Sequence, residues 1–471
     1  VNKNMNTTGS LAYFFADKIC NTAFDDLPKE SLHWAKMGMI DTVGVTIAGS
    51  HEPCALLIAK ALDLQNHSSL SNSRLASIWG GKLFCAPADA ALINGTAAHA
   101  LDFDDCNNTL GGHPSAPILP ALFALSDVNT ITPQDFLTAY ILGFEVETKI
   151  AMCVNFHHYT KGWHPTATLG TFGAAAACAK LLNLDLQQTA TALALAASSA
   201  AGIKANFGTM TKPMHVGKSA KEGLMAAKLA QAGYTANTES VFEHHQGFFE
   251  VFNGKGFYEP SKAREFWAKP WDIVEPGIAI KQYPCCGSTH PAVDVAIDIH
   301  NSPDFNINSI SHIRAWIHER RLTHTNRPFP KSELDAKFSL QYVIARALLE
   351  GKVGIEHFEN NIFLKQDVQN LLSKISVSAY NEQMFDPSNH FGARVEIEFK
   401  NGKRLTQSVL QPHGRTSSNP LSKKQLSNKY ELCTKKYLSP SGIELTQDWI
   451  ENMLSQKHVS SLSTLIQNHL I

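Results

Sequence analysis

The sequence predicts a mainly α protein, with a large all-helical domain and a smaller α+β domain. Three observations predict it. At 471 residues and 44% hydrophobic, the chain is too long for one ordinary compact domain and apolar enough to fill a sizeable core. Apolar residues recur at spacings of three and four through the first 240 or so positions, the period of an α-helix. Beyond about residue 270 the pattern changes to alternation, the period of a strand.

The segment 27–50 opens on Pro28, which suits a first helical turn, places Leu32, Ala35, Met39, Ile40 and Val43 on one face, and stops near Gly49. The same texture recurs at 86–100, 134–153, 165–182, 186–202 and 218–233. These segments are Ala-rich, which permits close helix approach. ISHIRAWIHE (310–319) and GARVEIEFKNGKRLTQSVL (392–410) alternate as strands, the second with Asn401-Gly402 placed as a hairpin turn. Between them 332–351 returns to helical spacing, and the tail after 415 reads helical again. The expected division is therefore a helical domain at 8–271, an α+β domain at 272–414, and C-terminal helices at 415–471 that return to the first domain.

Composition excludes several classes of function. Lys+Arg 41 against Asp+Glu 42 leaves a formal charge of -1, so no overall field draws the protein to nucleic acid or an anionic membrane. Nine scattered cysteines with no C-x-x-C pair fit a reducing, cytoplasmic setting better than a disulfide framework, and lack zinc or iron–sulfur spacing. The longest apolar stretches, 167–184 and 190–202, are broken by Gly, Ser and Thr and read as buried helices rather than membrane spans. The opening VNKNMNTTGS has no basic segment leading into an apolar run, so no signal peptide is expected.

Polar chemistry concentrates in four stretches: 94–122, 161–170, 208–223 and 281–294. Each carries a histidine beside Pro, Gly, Ser or Thr, which places the ring in a loop or at a helix start, where functional groups are displayed. Two share one pattern, His113-Pro114-Ser115 and His164-Pro165-Thr166. A proline following such a residue suits a first turn, where backbone N–H groups attract anions. A lone histidine at such a turn is ordinarily a hydrogen-bonded loop residue; the repetition is what singles these out. Lys212 reads by default as a surface lysine, and Cys285 and Cys286 as small buried hydrophobes. Asp102, Asp104 and Asp105 lack the spacing of a metal site.

Taken together, HALDFDD (99–105), GHPSAPILPAL (112–122), GWHPTATLG (162–170), TKPMHVGKSAKEGL (211–224), KQYPCCGSTHPAVD (281–294), NRPFP (326–330) and PLSKKQL (420–426) resemble the MmgE/PrpD family. That family includes 2-methylcitrate dehydratase, cis-aconitate decarboxylase and iminodisuccinate epimerase. The resemblance runs from about residue 10 to the end and implies a helical domain with an inserted α+β lid, a homodimer, no metal or cofactor, and an active site in the crevice between domains. The Lys-Pro-x-His-x-Gly segment and the Thr-His pair favour the decarboxylase and epimerase side of the family, with the decarboxylase-like branch the nearest match in motifs. By that similarity the catalytic positions fall on Asp102, His113, His164, Lys212 and His290. Cys106 stands where the decarboxylase has Thr, His324 where it has Tyr, and Cys285 where it has a small residue; the loop between Asp102 and His113 is one residue longer.

The chemistry the resemblance implies, acting on a small polycarboxylate, passes through an enolate- or carbanion-like state that cations and N–H donors must hold away from water. Lys212 would hold a carboxylate, and His113 or His164 would orient substrate or shuttle protons. His290 would be the proton-transfer partner. Asp102 would either fix a histidine tautomer or act as base. Lys281 and Arg327 would add charge, with Cys106, Cys285 and His324 shaping the substrate site. Cys285 has two readings: a thiolate base of a two-base epimerase, or a neutral wall of the pocket. Three functions follow: a metal-independent lyase on a tri- or dicarboxylate by decarboxylation or dehydration; an epimerase on a compound such as iminodisuccinate; or a silent carboxylate-binding homologue.

Overall fold

The computed structural model describes residues 9–64 and 75–471; the start of the chain, where no signal peptide is expected, lies outside them up to residue 8. Contacts divide the chain into two compact units, one of Asp104–Ile280 and Thr416–Ile471 with residues up to Ala100, the other of Lys281–Arg415 with Leu101–Phe103. Residues 273–280, grouped by sequence texture with the smaller domain, supply Ile273, Ile278 and Ile280 to the helical core.

The first unit is helical, and small residues set its packing. Pro87–Ala100 crosses Thr211–Gln231 at Gly95 and Gly217. A Cβ on Gly95 would stand 2.9 Å from the Gly217 Cα, and one on Gly217 only 2.1 Å from the Leu92 carbonyl. The helices touch backbone to backbone, and no side chain fits between them. Lys29–Gly49, Ser115–Val128, Pro133–Val154 and Gly170–Leu181 complete the centre, with residues such as Met39, Leu119, Phe144 and Ala177 fully buried. The tail helices Lys423–Thr434, Pro440–Glu451 and Ser460–Asn468 close the same core through Tyr430, Ile450 and Leu462. The buried Asp41–Lys429 pair at 2.5 Å ties the tail to Lys29–Gly49. A short antiparallel hairpin that periodicity did not reveal, β1 (Ala76–Ile78) with β2 (Leu83–Cys85), sits in this unit.

Among the described residues no single helix is long and apolar enough to cross a membrane. Only the pair Lys29–Gly49 and Pro53–Ala61, bent by 73°, passes such a test jointly, and the second half of the first helix is buried throughout.

The second unit packs helices on a four-stranded sheet. β3 (Ile310–Ile317), β4 (Ile375–Ala379), β5 (Ala393–Phe399) and β6 (Arg404–Val409) lie in the order β4-β3-β5-β6. β3 runs parallel to β4 and antiparallel to β5. Alternation puts Ala393, Val395, Ile397 and Phe399 into the core beside Ile313, Ala315 and Ile317. The other face of β5 offers Glu396 and Glu398 to Arg314 at 2.9 and 3.0 Å. Asn401-Gly402 forms the expected turn, with Gly402 at φ +83°. β4 was not expected: Ser376 and Ser378 dilute its apolar signal. His290–His300 and Leu340–Glu350 supply Val293, Ala296, Val343 and Ala347 to the same core.

Candidate active site

In the helical unit the two His-Pro segments meet. A Cβ on Gly112 would stand 2.9 Å from the Thr166 nitrogen, so a glycine there lets the first segment lie on the second, and the His113 N–H donates to Thr166 Oγ1 at 3.1 Å. His113 precedes Ser115–Val128, and His164 caps the short helix Pro165–Thr168. Thr211–Gln231 begins seven residues earlier than its apolar period indicates, with Pro213 in its first turn. Lys212, His215 and Ser219 then fall on one face. Lys212 is buried, not a surface lysine, with Nζ 5.4 Å from the Phe207 ring centroid.

Asp104 organises this cluster. Its Oδ2 lies 2.8 Å from His99 Nδ1 and 3.1 Å from His113 Nδ1. Burial opposes its charge, but the N–H groups of His113 and His99 aimed at it hold the carboxyl well below the usual carboxylate range. His99 is lowered to about 3, chiefly by burial, with Lys212 and His113 adding to it. It is a neutral ring that donates through Nδ1, while its buried Nε2 meets no hydrogen-bond partner. His113 presents the same nitrogen to Asp104, which fixes the orientation of its ring. Of the two roles the sequence left open for Asp102, fixing a tautomer or acting as base, the first is one that the contacts of Asp104 with His99 and His113 also suit; His99 enters the site although sequence reasoning passed over it as a helix residue. The spacing of His99 five positions before Asp104, across the helix end, was its one available signal.

His164 is pushed well below the usual imidazole range by burial, then by His99, Lys212 and His215. Its Nδ1 sits 3.4 Å from His215 Nδ1, so one ring donates and the other accepts. Phe207 meets the His164 ring edge-on at 4.9 Å. Cys106 holds its place by backbone bonds to Ala279, its Sγ 3.8 Å from His113 Nδ1. The cluster is one buried ammonium and several imidazoles around one carboxylate. Such a set can hold anionic substrate groups and move protons between ring nitrogens. His99 Nδ1, Asp104 Oδ2 and His113 Nδ1 lie within 4.8 Å of one another, a donor set found around divalent cations. Their separations are also those of N–H···O bonds, and ligation would need both Nδ1 atoms to give up the protons they donate to Asp104.

The remaining expected site residues lie in the smaller unit. Asp102 adopts φ +52° and binds Lys281, whose Nζ donates to its carbonyl at 2.7 Å and lies 3.1 Å from Oδ2. His290 opens the His290–His300 helix, with Nε2 3.2 Å from the Cys285 carbonyl and its ring edge-on to Tyr283. Burial, then Lys281, lowers it to about 3. His324 Nε2 is 3.0 Å from Ser288 Oγ. Arg327 is not aimed at this group: it pairs with Asp335, donates to the His324 carbonyl at 3.1 Å and lies over Phe338, bracing its loop.

Cys285 belongs to the apolar core of the smaller unit, fully buried, and burial pushes its thiol up to about 12. The thiolate reading is disfavoured, because the Thr289 hydroxyl and Lys281 offset only part of the cost of burying a charge there. Cys285→Ala is therefore expected to keep turnover within a few-fold of wild type while losing about 1 kcal/mol of stability from the small cavity. A steady-state assay paired with a urea melt checks both; loss of turnover without loss of fold would restore a chemical role.

Residues 14–260 match the MmgE/PrpD N-terminal domain and residues 283–453 the MmgE/PrpD C-terminal domain. The cis-aconitate decarboxylase of Homo sapiens is 29% identical over 468 residues, covering 97% of this chain and 95% of the relative. That of Mus musculus is 28% identical over 470 residues, covering 97% and 93%. That of Aspergillus terreus is 27% identical over 467 residues, covering 95% and 94%. With both domain matches spanning most of its length, the chain belongs to the MmgE/PrpD family.

Proposed function

We propose that the protein is a lyase on a small polycarboxylate, acting as a cis-aconitate decarboxylase-like or 2-methylcitrate dehydratase-like enzyme without a metal. The observation that carries this reading is the buried Lys212 among His99, His113, His164 and His215, organised by Asp104. Loss of CO2 from an unsaturated tricarboxylate leaves an electron pair on carbon that must be held until a proton arrives. Removal of a proton beside a carboxylate, the first half of a dehydration, does the same. A desolvated ammonium and preorganised N–H donors stabilise that state more than the ground state.

Lys212 holds the carboxylate that gains charge, and His113, backed by Asp104, carries the proton. His164 and His215 orient the substrate or pass a proton through their shared Nδ1 contact. His290, neutral as it stands, is the proton-transfer group of the smaller unit. The epimerase reading loses its second base with the Cys285 thiolate.

The test is a proton NMR time course in deuterated buffer with cis-aconitate, 2-methylcitrate and iminodisuccinate in separate tubes, with and without a chelator. New vinyl signals, unaffected by chelation, are expected in one of the first two tubes. Deuterium entering an α-position without a new product would replace the lyase by an epimerase. Silence in all three tubes would count for a non-catalytic binder.

A further inference from the structure

The turn that leads into His290 is surrounded by cations from distant parts of the smaller unit. Arg321, on the Glu319–Thr325 helix, donates from Nη1 to Ser288 Oγ at 3.3 Å. Arg415 Nη1 comes within 3.5 Å of where a Gly287 Cβ would stand, and Lys281 Cε within 3.7 Å of it. Arg321 and Arg415 both lie over the Phe391 ring, 4.5 and 4.8 Å from its centroid. The His390 carbonyl also receives the Arg321 Nε–H. Two guanidinium groups are thus pinned beside one glycine, whose missing side chain leaves room at the turn.

Like charges held together in a half-buried place repel. Burial first and Arg415 second bring Arg321 down to about 9. The strongest charges acting on Arg321 include Arg415 and Arg320, with no carboxylate among them. Asp102, the carboxylate felt by Cys286 and His290, is already bonded to Lys281. Arg321 spends Nε and one Nη1 N–H on His390 and Ser288, and the other N–H groups of a guanidinium fork so placed suit a carboxylate as charge-assisted donors.

We propose that Arg321 and Arg415 form a carboxylate-binding subsite at the Gly287–Ser288 turn, which takes one carboxylate of a polycarboxylate and so sets substrate choice. The proposal rests on the polycarboxylate reading above. It adds that the substrate class carries a carboxylate beyond the pair on a cis double bond.

The test compares cis-aconitate with citraconate, the same cis-dicarboxylate in which a methyl replaces the third carboxylate arm, by titration calorimetry at fixed salt. Wild type is expected to bind cis-aconitate at least about tenfold more tightly. Arg321→Gln and Arg415→Gln should each weaken cis-aconitate by about 10- to 100-fold and citraconate by under about threefold, the loss that charge-assisted bonds carry. Arg321→Lys and Arg415→Lys, which keep charge but not the fork, should fall between, and they decide the matter if a Gln variant does not fold. An unchanged preference in the folded variants would overturn the subsite while leaving the function standing. Wild type that binds neither compound would overturn the subsite and remove the decarboxylase arm of the function, leaving the dehydratase arm to the NMR time course.

Discussion

Lys212→Met is expected to lower kcat/KM by on the order of 10³-fold without unfolding the protein, as removal of a single preorganised charge from a closed site does. Methionine keeps the length and apolar stem of the side chain, so the packing beside Phe207 and in the first turn of Thr211–Gln231 survives. What disappears is the ammonium. Because that charge helps to keep His164 and His99 neutral, their titrations should also move upward, visible in imidazole carbon shifts followed against pH. Kinetics on the substrate identified by NMR and a thermal melt complete the measurement. Turnover within tenfold of wild type would remove Lys212 from the site.

Asp104→Asn should cost on the order of 10²- to 10⁴-fold in kcat with a smaller change in KM. The carboxylate accepts N–H groups from both His99 and His113. Both rings meet the one oxygen, Oδ2; an amide with its oxygen there accepts both N–H groups without the charge, and one turned the other way sets its NH2 against rings that already donate, so that an imidazole must move its proton to the other nitrogen. A histidine held in the wrong tautomer retains its place but not its role, the effect seen when the acid of a catalytic triad is made an amide. Asp102→Asn in parallel separates the two acids: Asp102 pairs with Lys281, whereas Asp104 receives His99 and His113, so loss of the Asp102 charge should leave the tautomer of His113 unchanged. Equal imidazole spectra for Asp104→Asn and wild type would refute the assignment.

Much of this was legible in the order of residues. Ala-rich helical spacing announced the helical unit, and the alternation in 392–410 announced β5 and β6, because each pattern reports burial on one face. The paired His-Pro motifs indicated that His113 and His164 belong together, and Gly112 shows how. Asp102 and Asp104 were harder to separate. They are two positions apart in one acidic run, and only the left-handed φ at Asp102 sends one to Lys281 while the other meets the histidines. Lys212 looked exposed because Pro213 and Gly217 obscure the early start of its helix. Arg321 and Arg415 gave no signal, since residues so far apart in the chain share Phe391 only through tertiary folding.

The crossing of Gly95 on Gly217 bears on how such a site can change over evolutionary time. Lys212 rides on one of the two helices and His99 on the other, and their separation is set where no atom can be added. The gauge between ammonium and imidazole is therefore not adjustable by drift in the core. New substrates must be accommodated by exchanging side chains on loops and on the smaller unit, so a lineage built on this scaffold is expected to diversify at its turns while its helical chassis stays the same width.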